Sequence, residues 1–158
     1  MDSSPAPDDR APSNTMVIEA SPEEIFAVLA EPDTYPDWLV GAQHIRKVDP
    51  DWPGVGSRFH HRIGFGPVCL PGSTSVRSFD EPTQLELGAG MGLLGEATVH
   101  IVVEAVSEGT RVTIQEEPRR GVVRLLWNVA RPMVNLGLWG RNAISLSALA
   151  EAVERNRR

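Results

Sequence analysis

The feature that most restricts what this chain can fold into is a change of hydrophobic period at Pro118. From Gly41 to about Glu117 apolar residues tend to recur at every second position. After Pro118 they recur at steps of three and four, through Leu136, Trp139, Ala143, Leu146, Ala150 and Val153. A step of two places side chains on one face of a strand, and a step of three or four draws a stripe along a helix. The chain therefore reads as a run of strands followed by one helix of more than five turns, which needs a large apolar surface to lie against.

Turn signals at Asp51–Gly54, Gly64–Gly66, Pro71-Gly72, Asp80–Pro82, Gly88–Gly92 and Glu108-Gly109 divide the alternating region into an antiparallel meander of about six strands. The clearest strand is Ala97–Val103, in which Ala97, Val99, Ile101 and Val103 share a face. Its partner, Arg111–Glu116, places Val112, Ile114 and Glu116 together. One face of this sheet is apolar and the other wet.

Ahead of the meander, Asn14–Ala20 reads as a short strand and Ser21-Pro22-Glu23-Glu24 as a helix start. Ser21 is placed to accept a backbone N–H, Pro22 suits the first helical position, and the two glutamates complement the positive end of the dipole. This helix runs to about Ala30, burying Ile25, Val28 and Leu29, and Glu31-Pro32 ends it. A second short turn, Pro32–Trp38, carries Tyr35 and Trp38 before Gly41 breaks the chain. At 158 residues one core is expected. The organisation is a disordered leader (1–13), one domain (14–155) and a basic tail (156–158).

Composition excludes several classes. A net charge of −6 lacks the basic balance of a nucleic-acid binder, and the chain is also expected to avoid anionic membrane surfaces. The single cysteine, Cys69, excludes an internal disulfide and suits a reducing cytoplasm. Met1–Ser13 has no apolar run and so is no signal peptide. The most apolar stretch, Val122–Trp139, is interrupted by Arg124, Arg131 and Pro132, which rules out a transmembrane span. No metal is expected: neighbours His60 and His61 point to opposite faces of a strand, and His100 lies on the wet face of another. The glycine-rich segments join strands and precede no helix, so they cradle no phosphate, and no cofactor is called for.

The order of strand, two short helices, about six strands and one long helix resembles the α+β helix-grip fold. In that fold a curved antiparallel sheet of six or seven strands wraps a long C-terminal helix and leaves a cavity between them. The run from Val17 to Pro32, followed by Tyr35-Pro36-Asp37-Trp38, is similar to the opening of the polyketide cyclase/dehydrase group of the START-like superfamily. Gly54–Phe59, Gly109–Thr113, and Arg141-Asn142 ahead of Leu146–Leu149 add to the likeness, which spans about Ser13 to Val153. The resemblance implies a cavity for a small hydrophobic or aromatic molecule and leaves open whether chemistry occurs there.

Strand parity and the helix stripe together nominate the lining: Phe59, Leu85, Leu87, Val99, Ile101, Val112 and Ile114 from the sheet, and Leu136, Trp139 and Ala143 from the helix. Gly137 and Gly140 beside the stripe suggest spare room. Trp38 either staples its loop or guards the cavity mouth, and Trp52 reads as a staple. Trp127 either caps the cavity or meets another subunit in a monomer or homodimer.

Two polar residues, His61 and Glu116, break the apolar parity and point inward; buried, each needs a partner, a water or a ligand. If they meet, His61, with an ordinary pKa of about 6.5, suits a general base and Glu116 an orienting group or acid, as in an aldol cyclisation or dehydration. The plainer alternative is a satisfied core histidine beside a strand-end carboxylate. Three functions follow: a binding module for a small hydrophobic ligand, a cofactor-free cyclase/dehydrase, or a protein-interaction module with a vestigial cavity. The first two need an internal cavity of roughly 300 Å³ or more.

Overall fold

The computed structural model describes residues 8–158. Its elements are β1 (Ser13–Ile18), α1 (Pro22–Leu29), a 3-10 turn (Pro32–Thr34), α2 (Tyr35–Trp38), β2 (Ala42–Val48), β3 (Arg58–Phe65), β4 (Val68–Asp80), β5 (Gln84–Gly90), β6 (Glu96–Val106), β7 (Gly109–Arg120) and α3 (Gly121–Arg157). The seven strands form one antiparallel sheet in the order β1-β7-β6-β5-β4-β3-β2, and α3 packs against it: the helix-grip fold.

The expected leader lies in its first seven residues outside the described residues. Asp8 already touches the sheet, its carbonyl accepting from Gln115 Nε2 at 2.9 Å, and Ala11 is buried. α3 continues into the expected tail, as far as Arg157.

The helix start at Ser21 forms a full capping box: Ser21 Oγ accepts from the Glu24 N–H, and the Glu24 carboxylate accepts from the Ser21 N–H at 2.8 Å. Ile25, Phe26, Val28 and Leu29 then bury one face of α1. Trp52 does staple its turn, donating through Nε1 to the Ala30 carbonyl at 2.8 Å. Its ring meets Phe59 at 4.8 Å and Tyr35 at 6.5 Å, while Tyr35 donates to Leu29 O. This aromatic cluster ties α1, α2 and β3 into one end of the core.

The long helix keeps its expected phase in its second half and departs from it in the first. Leu136 and Trp139 are 70% and 52% exposed, and Ala143 and Gly140 are half-buried. The inward residues are Trp127, Asn142, Ser145, Leu146, Leu149, Ala152 and Val153. The expected stripe holds at Leu146, Ala150 and Val153, which belong to or pack on the core, and fails at Leu136 and Trp139, while Asn142 and Ser145 take inward positions beside it. The helix also bends at Ala130 (φ −125°, ψ 38°), two residues before Pro132, so the proline sits just past a kink. Gly121, at φ +78°, starts α3 against the Gly95 backbone, where a Cβ would collide. Gly137 and Gly140 face open space rather than a hollow in the core.

Candidate functional site

Inward residues of the central strands, together with α2 and α3, enclose a chamber. β3 supplies His61 and Ile63, β4 Thr74, β5 Leu87 and Ala89, β6 Ala97, Val99 and Ile101, and β7 Ile114 and Glu116. Trp38 and Leu39 close one side, and Arg141 and Asn142 descend from α3. Of the residues nominated from the sequence, Trp38, His61, Leu87, Val99, Ile101, Ile114 and Glu116 stand on this wall. Phe59 and Val112 are fully buried in the adjoining core. Leu136 and Trp139 turn to solvent, and neither Gly140 nor Ala143 reaches the chamber; the helix presents Asn142 there instead.

The enclosed volume is about 40 Å³, room for roughly three waters, so the internal cavity of roughly 300 Å³ expected between sheet and helix is not present: inward side chains fill most of that space. An apolar groove of about 420 Å³ adjoins it and opens to solvent, lined by Val40, Phe65, Val68, Leu70, Leu94 and Leu138. Ile63, Met91, Glu116 and Arg141 belong to both spaces and form the wall between them.

That wall contains an ion pair. Arg141 Nη1 donates to Glu116 Oε2 at 2.6 Å and Arg141 Nε donates to the Val40 carbonyl at 2.9 Å, which ties α3 to β7 and to the chain leaving α2. The side chains are 22% and 10% exposed, so the charges are partly shielded from water. Ser145 completes the seam by accepting from the Val40 N–H at 3.1 Å. These duties explain why Arg141 and Ser145 interrupt the apolar helix face.

His61 is 4% exposed. Its Nδ1 lies 3.2 Å from the Arg62 carbonyl, which can only accept, so Nδ1 carries the proton; Nε2 then accepts from the Thr74 hydroxyl at 3.0 Å. Burial pushes its pKa below the usual histidine value; the Arg62 carbonyl opposes this and His60 reinforces it. His61 is therefore neutral near pH 7, with both nitrogens engaged. His61 and Glu116 share a wall, yet each is bonded to another partner: Thr74 in one case, Arg141 in the other.

One group on the wall is unsatisfied. Asn142 is 1% exposed, and its Nδ2 is buried with no hydrogen-bond partner among the described residues. A buried amide donor without an acceptor costs about 1–3 kcal/mol, a cost that an incoming oxygen removes.

The profile of the family described as "Polyketide cyclase / dehydrase and lipid transport" matches residues 13–154. The chain belongs to this family. Its fold is shared by TTHA0849 from Thermus thermophilus (16% identity, TM-score 0.74, covering 93% of this chain and 99% of that one). The di-domain ARO/CYC StfQ of the steffimycin biosynthetic pathway matches over half its length (11% identity, TM-score 0.70, 92% of this chain and 50% of that one). Ara h 8.0201 also shares the fold (11% identity, TM-score 0.66, 90% and 96%). No curated protein matches the chain. Members of this family bind hydrophobic ligands or act as polyketide cyclases and dehydrases. No helix among the described residues is long and apolar enough to cross a membrane.

Proposed function

We propose that this protein binds a small, mainly apolar molecule carrying a carbonyl or hydroxyl oxygen, as a binding module without a cofactor. The observation that carries this reading is the buried Asn142 amide, which has no partner among the described residues while the other polar groups of the wall, His61, Thr74, Glu116 and Arg141, are bonded to one another or to the backbone. The apolar body of the ligand lies in the groove, whose volume exceeds the roughly 300 Å³ typical of small-molecule sites. Its oxygen reaches past the Arg141–Glu116 pair to Asn142 Nδ2. The inner chamber alone is too small for such a molecule, so binding displaces Ile63 or Met91, or swings Arg141 aside.

The cyclase/dehydrase reading has one observation in its favour: neutral His61 and Glu116 line the same chamber. Against it, His61 Nε2 acts as a base only after Thr74 releases it, and Glu116 is held by Arg141. If His61→Ala and Glu116→Ala leave turnover of a candidate polyketide unchanged, catalysis by these residues is excluded.

Native mass spectrometry of the purified protein tests the binding reading. A retained molecule of low polarity supports it and gives its mass. A bare chain mass that persists after incubation with medium-chain ketones and alcohols contradicts it.

A further inference from the structure

The first half of α3 has an unusual surface. Val122, Leu125, Leu126, Val129, Met133 and Leu136 recur at steps of three and four on the side turned from the sheet, and all are exposed, Val129 by 79% and Met133 by 78%. Exposed Trp139 and Ile144 extend the apolar surface, and beyond them the same side is polar, with Ser147, Glu151 and Glu154. The apolar stripe thus stops part-way along one helix, and it begins where α3 leaves the sheet.

Two loops reach the same end of the molecule. The β3–β4 hairpin runs alongside the β5–β6 connection, and β6 there pairs with the end of β7. Their tips expose Phe65 (71%), Val68 and Leu93 (98%). The apolar groove opens among these segments, between Phe65, Val68, Leu94 and Leu138.

Charge separates this end from the rest. Although the chain has 21 acidic residues, stretches 62–79, 87–95 and 118–150 contain none. They carry Arg62, Arg77, Arg119, Arg120, Arg124, Arg131 and Arg141. Of the acids bordering these stretches, Glu96 is ion-paired to Arg77 and Arg120, Glu117 to Arg119 and Glu116 to Arg141, while Asp80, Glu86 and Glu151 border their other ends. Arg124 and Arg131 have no carboxylate pair among the described ion pairs and lie over the Trp127 ring at 4.7 and 4.8 Å.

We propose that this end is a peripheral docking surface for an anionic lipid bilayer, with the α3 stripe and the two loop tips entering the interface and the exposed Arg120 and half-buried Arg62 and Arg124 at the level of the headgroups. Apolar residues on one helix side with arginine on the other, and no acid, match an interfacial helix. A contiguous exposed apolar surface of this kind calls for a partner. A second copy of the chain fits less well, since a two-fold contact through this end sets the same arginines against each other. The net charge of −6 argued the other way because it averages over an uneven distribution. Docking is read from the surface and stands whatever the chamber holds. It places the groove mouth at the lipid.

Co-sedimentation of the ligand-free full chain with phosphatidylglycerol and phosphatidylcholine vesicles tests this, with light scattering on the same samples. The expected result is binding to phosphatidylglycerol that weakens at high salt, much weaker binding to phosphatidylcholine, and a monomer in solution. Leu125→Asp/Val129→Asp, at exposed positions that leave the circular dichroism spectrum unchanged, lowers vesicle binding by roughly tenfold or more. Arg120→Glu/Arg124→Glu lowers it selectively at low salt. Failure to bind phosphatidylglycerol, equal binding to both lipids, or a dimer that Leu125→Asp/Val129→Asp converts to monomer would overturn the proposal.

Discussion

Replacing the two members of the Arg141–Glu116 pair, singly and together, should give unequal losses that do not add. Arg141→Met leaves Glu116, with a side chain only 10% exposed, as a carboxylate without its cation. Breaking a fully buried pair from one side costs about 3–5 kcal/mol, and partial access to water reduces this to about 2–3 kcal/mol. Glu116→Leu strands a guanidinium that is 22% exposed and keeps its bond to the Val40 carbonyl, so its cost is about 1–2 kcal/mol. The double variant removes both charges and substitutes apolar surface at the groove wall, and it should lie within about 1 kcal/mol of the parent. If the double variant matches the parent, the implied coupling is about 3–5 kcal/mol, readable from urea midpoints at neutral pH if the transition slope stays constant. Equal single losses that sum in the double variant would refute the reasoning, because the side chains would then be acting independently.

Other substitutions separate site from scaffold. Asn142→Leu, by removing an unpartnered buried donor, should leave urea stability unchanged or raise it by about 1 kcal/mol, while retention of any co-purified molecule falls; a loss of stability would mean the amide is satisfied in the folded chain. Leu149→Ala, at a fully buried position, should cost about 2–5 kcal/mol, whereas Leu136→Ala should stay within about 0.5 kcal/mol, as measured by thermal melts; the reverse order would contradict the helix phase. His61 and His100 both have pKa values lowered chiefly by burial, so the unfolded chain takes up protons first as pH falls. Stability should therefore hold at neutral and higher pH and decline as pH drops below the unfolded histidine value of about 6.5. His61→Gln should flatten part of that decline in urea titrations, and an unchanged slope would remove His61 as a contributor.

The architecture was legible because strand parity and helix caps are local. Ala97, Ile101 and Val112 alternate inward as their spacing requires, and Ser21 caps α1 through atoms only three residues apart. Parity also placed His61 and Glu116 on the chamber wall. The helix side of the site was misread by one residue because Asn142 and Ser145 occupy inward positions for polar reasons, and an apolar stripe cannot register them. The same stripe that correctly buries Leu146 and Val153 would also bury Leu136 and Trp139, which instead face solvent. Arg141-Asn142 is visible in the sequence only as part of the family likeness. Its meaning depended on Val40 and Glu116, which are brought to it only by the fold.

The central claim, a ligand whose oxygen meets Asn142 and whose body occupies the groove, is tested most directly by side-chain NMR. Methyl and side-chain amide signals would be followed while 2-dodecanone is titrated into the apo protein. Saturable shifts are expected at Leu87, Val99, Ile101, Ile114, Ile63 and the Asn142 amide, and they should be lost in Asn142→Leu. Shifts confined to exposed residues such as Val122 and Met133, or no saturable shifts from this ketone at the chamber wall, would contradict it.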